Sequence, residues 1–276
     1  MRLFRIATAF ALLLSPALLL AQRTDRESDA EWLENCRNHS SWGNDARGRA
    51  CEVRKVPVQL SGRSIAVDGQ QNGGVRVFGW DRDVVEVTAR MQAQERTDER
   101  ARDVLSRIKI VADGRSVRAD GPSMDGDDDM GWSVSYYVNV PRRFDLDLEA
   151  HNGGLSVESV SGNLALRTQN GSVALLGVGG DVRAHTQNGS LNVQLTGTKW
   201  DGTGLDAETQ NGSVRLAVPE QYAAQLETGT VNGSIRTDIP VTLSGRISRQ
   251  LTIPLGGGGR TIRAMTTNGS VAITRR

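Results

Sequence analysis

Apolar and polar residues alternate with period two through the C-terminal half of the chain, and a short turn motif recurs along this alternation. The motif reads Thr-x-Asn-Gly-Ser-apolar and occurs five times, with looser Asn-Gly-Gly copies at Asn72 and Asn152. Its Thr and Asn residues are Thr168 and Asn170, Thr186 and Asn188, Thr209 and Asn211, Thr230 and Asn232, and Thr266 and Asn268. Period-two alternation on both sides of a turn predicts two half-buried strands for each copy.

Alignment of the copies on Asn gives columns of constant character. Aliphatic residues or Ala mostly occupy the positions six and four residues before Asn and three and five residues after it, as at Leu164, Leu166, Val173 and Leu175. Thr and Asn share the parity of these aliphatics, so we expect both to face the core. Successive Asn residues are 18 to 23 positions apart until a last step of 36, which is twice 18. We therefore expect one coil without the motif over residues 240–259.

Two architectures accommodate this unit. One is an antiparallel meander or sandwich, because Asn-Gly between alternating runs is a strong hairpin signal. The other is a parallel β-helix-like solenoid, in which each copy forms one coil and like positions stack. The repeated Thr and Asn favour the solenoid, since Asn residues about 4.8 Å apart can form a side-chain hydrogen-bond ladder. We thus predict an all-β solenoid over residues 144–276, with Asn152 and the Thr and Asn residues of the repeats as its structural ladder.

The N-terminal half is less regular. Residues 51–143 contain short alternating runs that predict strands, and a stretch near 94–107 without Gly or Pro predicts one short amphipathic helix. This pattern leaves open whether residues 51–143 belong to the same solenoid. Residues 22–50 are polar and are expected to be irregular. Residues 1–21 have a basic start and an apolar run, which predict a secretory signal peptide, with a retained anchor as the alternative.

Composition and charge narrow the function further. Lys and Arg number 33 against 32 Asp and Glu, so charge gives no argument for a nucleic-acid partner. In an exported chain, Cys36 and Cys51 predict a disulfide that closes a short loop. After the signal, no apolar run of the sequence is long enough to span a membrane, so we expect no stable span after cleavage.

Known catalytic and cofactor motifs are missing from the sequence. It lacks a nucleophile elbow, a His-Glu-x-x-His motif, a phosphate-binding loop and a dinucleotide fingerprint. The acidic run at 125–129 lacks the closing Glu of a calcium loop, and His151 and His185 lack an acidic partner for a metal site. We expect no catalytic residue, no metal site and no cofactor. We interpret the Asn-x-Ser sequons of the repeats as a by-product of the turn.

One set of outward side chains offers a binding face. These residues have the parity opposite to that of the core, so they are expected to line one sheet. They are Glu149, Arg167, Arg183, Glu208, Glu227 and Arg263. Their alternating signs favour cross-strand pairing on a solvated face. A polysaccharide lyase or hydrolase would also carry its charged groups on such a face.

The chain resembles the DUF4097 "putative adhesin" family of exported bacterial β-strand-repeat proteins. The resemblance covers roughly residues 50–276 together with the signal-like start. The features that carry it are Cys36, the segment Cys51-Glu52-Val53-Arg54, Trp132-Ser133-Val134, Val140-Pro141 and the Asn-Gly repeats. It implies a β-helix-like solenoid and implies no catalytic residues.

These observations lead to one preferred functional prediction. We expect a non-catalytic exported β-solenoid that serves as an adhesin-like binding or scaffold protein of the cell envelope, in the periplasm, at the cell surface or secreted. Its partner is expected to be an envelope glycan or protein of unknown identity. The alternatives are a carbohydrate-active β-helix enzyme and a purely structural envelope component.

Overall fold

A computed structural model describes residues 27–38, 47–59, 61–124, 129–239 and 250–276. It contains helices α1 (Asp29–Asn38) and α2 (Asp98–Arg107). The strands of the N-terminal half are β1 (Gly48–Val56), β2 (Ser64–Asp68), β3 (Val75–Trp80), β4 (Glu86–Glu95), β5 (Lys109–Ala112), β6 (Ser116–Asp120) and β7 (Gly131–Pro141). Those of the repeat region are β8 (Asp145–Ala150), β9 (Leu155–Glu158), β10 (Ser161–Thr168), β11 (Val173–Leu176), β12 (Gly179–Asn188), β13 (Leu191–Gln194), β14 (Gly204–Asn211), β15 (Val214–Val218), β16 (Ala224–Asn232), β17 (Ile235–Thr237), β18 (Gln250–Leu255), β19 (Thr261–Asn268) and β20 (Val271–Arg275).

The strands form two ten-stranded sheets that enclose one core. Sheet A has the order β1-β4-β7-β3-β9-β11-β13-β15-β20-β17, and sheet B has the order β18-β16-β19-β14-β12-β10-β8-β2-β6-β5. In the repeat region each coil contributes one strand to sheet B and the next strand to sheet A. The Asn-Gly corner is the point where the chain passes from one sheet to the other.

Like positions of successive coils lie side by side, which confirms the solenoid. Strands β10 and β12 are parallel and pair Leu164 with Val182 and Thr168 with Thr186. Strands β11 and β13 are parallel as well. The hairpin alternative is wrong for the repeats, because the two strands that flank each Asn-Gly corner belong to different sheets.

Spatial order differs from chain order at the C-terminal end. The coil β19–β20 lies between β14–β15 and β16–β17, and pairs in parallel with both. Strand β18 pairs antiparallel with β16 at the edge of sheet B. The expectation of a coil without the motif over 240–259 is therefore wrong: residues 250–255 form an antiparallel edge strand. Residues 240–249 lie outside the described part of the chain.

The N-terminal half contributes to the same two sheets. The coil β2–β3 lies between β6–β7 and β8–β9, so chain order is also permuted here. Strands β1, β4 and β7 pair antiparallel in sheet A, and β5 and β6 do so in sheet B. In the structure, residues 51–143 thus continue the core of the repeats rather than forming a separate sandwich.

The inward columns form the core. Leu164, Leu166, Val173 and Leu175 are each at most 1% exposed, as the alternation predicts. Full burial of such a side chain stabilises the folded state by roughly 1.5–3 kcal/mol. Because each coil buries one apolar face against its neighbours, stability accumulates coil by coil.

Both helices differ from the sequence prediction, which had one helix near 94–107 and an irregular segment over 22–50. Helix α1 lies within the segment expected to be irregular. Cys36 is its buried side chain, so the sequence of this segment shows no apolar stripe from which a helix could be predicted. Helix α2 begins at Asp98, after an N-cap at Thr97 whose hydroxyl accepts from the Arg100 backbone N–H. The residues just before it, through Glu95, extend strand β4 and pair with β1. The cap therefore starts the helix four residues later than expected.

Candidate functional site

The Asn residues of the corners form a continuous side-chain ladder along the solenoid. The Nδ2 of every ladder Asn except Asn72 donates to the Oδ1 of the Asn in an adjacent coil, at distances from 2.7 to 3.2 Å. In spatial order the ladder runs through Asn72, Asn152, Asn170, Asn188, Asn211, Asn268 and Asn232. Every bond has the same direction, so the ladder links the coils of both halves of the chain.

The ladder lies on the outside of the solenoid, not in its core. The Asn residues of the C-terminal repeats are exposed, whereas Thr186, two residues earlier, is fully buried. Strand parity ends where the chain turns at the corner, and for this reason the expectation of an inward Asn is wrong. The amide nitrogens that a glycan would occupy are engaged in the ladder, which agrees with our interpretation of the sequons.

Thr and Gly of each corner contact the neighbouring coil. The Thr186 hydroxyl donates to the Gly171 carbonyl at 2.7 Å, and Thr168 bonds to Gly153 in the same way at 2.8 Å. The same bond recurs at Thr209, Thr230 and Thr266. A Cβ at Gly189 would lie 2.0 Å from the Gly171 carbonyl oxygen. The motif is therefore a stacking element, and its residue types follow from contacts between coils.

The predicted binding residues lie on the outer face of sheet B and are largely paired with one another. Arg167 contacts Asp147 at 2.7 Å and Glu149 at 2.8 Å. Its hydrogen bond to Glu149 is the main cause that raises the pKa of the guanidinium. Arg263 bonds Asp206 at 2.6 Å and also bonds Glu208. These charges thus neutralise each other across neighbouring strands.

The remaining two predicted residues lie on the same face. Arg183 contacts Asp181, two positions earlier on its own strand, at 3.0 Å. Glu227 is the register partner of Arg263 on the neighbouring strand. The structure therefore places all six predicted residues on one sheet, with five of them in local ion pairs and Glu227 beside Arg263 in register, and forms no single convergent cluster.

A shallow polar groove of about 580 Å³ follows the sheet B side of the ladder. His151 and His185 line it together with Gln169, Gln187 and Gln210, which precede Asn residues of the ladder. His185 is flanked in register by Arg167 and Glu208. Within the described ranges, no group of three or more His, Cys, Asp or Glu side chains could hold a metal ion.

Sequence reasoning missed the outer face of sheet A. There, Arg76, Phe78, Ser156 and Glu158 line a groove of about 610 Å³ beside Tyr137. Phe78 and Tyr137 are partly exposed, and the Arg76 guanidinium lies 5.5 Å from the Tyr137 ring centroid. The alternation of Arg, Phe and Trp with Val and Gly in β3 was the available signal, since it places these three side chains on one outward face.

The N-terminal helix is fastened to the other end of sheet A. A disulfide joins Cys36 of α1 to Cys51 of β1. Arg90 of β4 is 3% exposed and bonds Asp29, Glu27 and the Tyr137 hydroxyl. Its guanidinium also lies 4.0 Å from the Tyr137 ring centroid. These contacts fix α1 and orient Tyr137 at the edge of the groove.

Fold and corner geometry together define a two-sheeted parallel β-solenoid with stacked Asn-Gly corners. The family model described as Toastrack DUF4097 matches residues 138–274, and this repeat region belongs to the family. No curated protein matches the chain. Among the described residues no helix is long and apolar enough to cross a membrane. The signal-like residues 1–21 lie outside the described part of the chain.

Solved structures similar to the chain come from several bacteria. A putative cell adhesion protein from Clostridium sporogenes is 10% identical with a TM-score of 0.46, over 82% of this chain and 100% of that one. A putative adhesin from Bacteroides fragilis is 11% identical with a TM-score of 0.37, over 82% and 97%. A putative lipid binding protein from Parabacteroides distasonis is 11% identical with a TM-score of 0.27, over 82% and 96%.

Proposed function

We propose that the protein is a non-catalytic, exported β-solenoid that binds an extended polymer or protein of the cell envelope. The observation that carries this proposal is the regular parallel register of both sheets, which repeats outward side chains in rows along the molecule. A partner that extends over several coils can contact equivalent positions at steps of about 4.8 Å. Such a surface suits adhesion or scaffolding.

The pairing of the charged side chains on sheet B favours a structural role for them over a role in glycoside cleavage. An acid–base pair for glycoside cleavage needs two carboxyl groups in one site, with one of them held protonated. Glu149 is instead bonded by Arg167, and Glu208 by Arg263. Each of these two carboxylates is thus held by an arginine of a neighbouring strand, and the two belong to separate ion pairs rather than to one shared site.

Export is supported by the disulfide between Cys36 and Cys51. Disulfides persist in the periplasm and outside the cell and are rare in the reducing cytosol. Fractionation of cells that produce the full chain, followed by N-terminal sequencing of the protein, tests this part of the proposal. Protein in the envelope or the medium that starts near residue 22 is expected. A cytosolic protein that retains its first residues would contradict export.

Binding is tested by applying the purified protein to a glycan array, to isolated envelope fractions and to an envelope protein array. We expect saturable binding to at least one class. A polysaccharide panel is incubated with the same protein in parallel and assayed for released reducing ends and unsaturated uronate. Product release that Glu208→Gln or Arg183→Ala abolishes would replace the binding proposal by the enzyme alternative, and absence of any binding would remove its support.

A further inference from the structure

We infer that the partner binds on the outer face of sheet A and that it is an acidic glycan chain. This inference rests on the proposed binding function and names its surface and ligand class. On the outer face of sheet B, the repeat-region arginines Arg167, Arg183 and Arg263 are each ion-paired. On sheet A the structure records no ion pair for Arg76, Arg215 or Arg236 among the residues it describes.

These three arginines lie in a single row across sheet A. Register pairs connect Tyr137 to Arg76, Arg76 to Ser156, and onward across the parallel strands. The complete row is Tyr137, Arg76, Ser156, Ala174, Asn192, Arg215, Ala272 and Arg236. Four strand spacings separate Arg76 from Arg215, which amounts to about 19 Å, and two more lead to Arg236. The row is therefore long enough for several sugar units.

Short side chains keep the row flat between its charges. Ser156, Ala174 and Asn192 lie between Arg76 and Arg215 and are partly exposed. On the corner side runs a parallel row of hydroxyl groups, which includes Ser172, Ser190 and Ser213. A polymer lying on this face would meet arginines at intervals, with hydroxyl and amide groups between them as hydrogen-bonding partners.

Charge differs between the two outer faces. From β3 to β17, the outward positions of sheet A carry Arg76, Arg215 and Arg236, with Glu158 as the acidic side chain. On sheet B, acidic residues outnumber basic ones at the outward positions of β8, β10, β12, β14, β19 and β16. The acidic residues there are Asp145, Asp147, Glu149, Asp181, Asp206, Glu208 and Glu227, and the basic ones are Arg167, Arg183 and Arg263. An anionic partner is therefore attracted to sheet A and repelled by sheet B.

Aromatic side chains at one end of the row favour a glycan over other polyanions. Phe78 and Trp80 share the outward face of β3 with Arg76, and both are partly exposed. The Trp80 indole N–H donates to the Val84 carbonyl at 2.9 Å, which fixes the ring. The Arg82 guanidinium lies 4.7 Å from the centroid of this ring, so the held ring offers its opposite face to the C–H side of a sugar, next to groups that bind its hydroxyl and carboxylate oxygens.

The experiment measures binding of fluorescent oligogalacturonate by anisotropy, with a neutral galactose oligomer of equal length as comparison. The variants are Arg76→Gln, Arg215→Gln, Phe78→Ala and the combination of Arg76→Gln with Arg215→Gln. Arg183→Gln on sheet B is the matched control, since its side chain is 72% exposed and paired with Asp181. Circular dichroism and thermal melting verify that each variant is folded.

We expect each single Arg variant to weaken oligogalacturonate binding about two- to fivefold, the size of one exposed ion pair. The double variant should lose about tenfold or more, the Phe78→Ala variant should lose affinity for the acidic oligomer, and the Arg183→Gln variant should retain it. Higher salt should weaken binding by the wild type more than binding by the double variant.

Three results would overturn the inference. They are equal loss in the Arg183→Gln variant, unchanged binding in the double variant, or preference for anionic vesicles or single-stranded DNA over the acidic oligomer. If the wild type ignores oligogalacturonate yet binds another partner on the arrays, the inference fails and the proposed function stands. If it binds nothing on any array, both fail.

Discussion

Each of the five Thr-x-Asn-Gly corners brings a Thr hydroxyl and a Gly α-carbon against the main chain of the neighbouring coil. The hydroxyl of Thr186 is fully buried, and its bond to the Gly171 carbonyl gives it the partner that a buried polar group requires. The absent side chain of Gly189 lets the two coils approach. Identity at these positions is thus required by stacking and not by the dihedral angles of a hairpin turn.

Substitution at a corner glycine should be costly. In Gly189→Ala the new Cβ would lie 2.0 Å from a backbone oxygen of the next coil, so the coils must separate. We expect a loss of about 1–3 kcal/mol or more in the free energy of unfolding, measured by urea denaturation. Gly257→Ala is the matched control, because nothing lies within 4 Å of its Cβ. Similar urea midpoints for the two variants would show that the close approach is not real.

Removal of one buried hydroxyl group, that of Tyr136, should stabilise the folded protein. The Tyr136 hydroxyl has no hydrogen-bond partner among the described residues, and burial is the largest cause that raises its pKa above the usual 10. Since an unsatisfied buried group costs about 1–3 kcal/mol, Tyr136→Phe should stabilise the protein at pH 7. The same substitution at Tyr137 should destabilise it, because that hydroxyl accepts a bond from Arg90. Urea unfolding that ranks the two variants in the reverse order would contradict this reading.

The same tyrosine should contribute to the alkaline limit of stability. In the unfolded chain Tyr136 loses its proton near pH 10, while in the folded protein it keeps the proton to higher pH. Above about pH 10 the unfolded state therefore binds fewer protons, and stability falls as pH rises. In the Tyr136→Phe variant this part of the fall should be missing from unfolding curves recorded between pH 8 and pH 11.

At the level of elements, the Asn ladder and the parallel strands reinforce each other. Each strand pair sets the spacing that lets one Asn amide reach the next, and each amide bond holds two corners in register. Because the ladder is exposed, water competes for its groups, so each bond contributes modestly. The contribution of the ladder to stability therefore comes from its six consecutive bonds together, not from any single bond.

Position in the ladder should decide the effect of removing an Asn. Asn188→Ala removes two bonds, one to Asn170 and one from Asn211. Asn232→Ala removes the single bond that its amide donates to Asn268. We expect losses of roughly 1–2 kcal/mol and 0.5–1 kcal/mol, respectively, in the free energy of unfolding. Equal losses in chemical denaturation would contradict the dependence on position, and no loss in either variant would mean that the ladder bonds do not contribute to stability.

Over the whole molecule, the permuted order of coils ties the C-terminal end into the structure. Strands β19 and β20 lie between coils that precede them in the chain. In a simple solenoid the last coil would stack only on one neighbour. Here β19 pairs with both β14 and β16, so its removal would leave these two strands without the partner that joins them. The coil β19–β20 is therefore held on both sides.

Engineered disulfides test this order directly. Asn211 and Asn268 are register partners on adjacent strands, about 4.8 Å apart, whereas Asn211 and Asn232 are two strands apart, about 9.6 Å. Disulfides need Cα atoms within about 7 Å. Mild oxidation should therefore cross-link the Asn211→Cys/Asn268→Cys variant and leave the Asn211→Cys/Asn232→Cys variant uncrosslinked. A cross-link found by mass spectrometry in the Asn211→Cys/Asn232→Cys variant and not in the Asn211→Cys/Asn268→Cys variant would mean that the coils stack in the order of the chain.

Part of the candidate site was predictable from parity. Arg167 and Arg263 were expected on one outer face, and the structure places them there. Their pairing with Asp147 and Asp206 was not predictable, because it depends on which strands lie side by side and on the rotamers that close each contact. Arg76 and Arg215 belong to distant parts of the sequence and share a row only once the sheet is assembled.

The sequence by itself determined the strands of the repeats, their buried faces and the corner between them, and it favoured the parallel stacking of coils, because these follow from period-two alternation and repeated residue types. Tertiary structure alone decided the order of the coils, the outward position of Asn and the arginine row of sheet A. The physical reason is that all corners carry nearly the same residues, so any coil can stack on any other. Contacts specific to each end, such as β18 on β16, select one order.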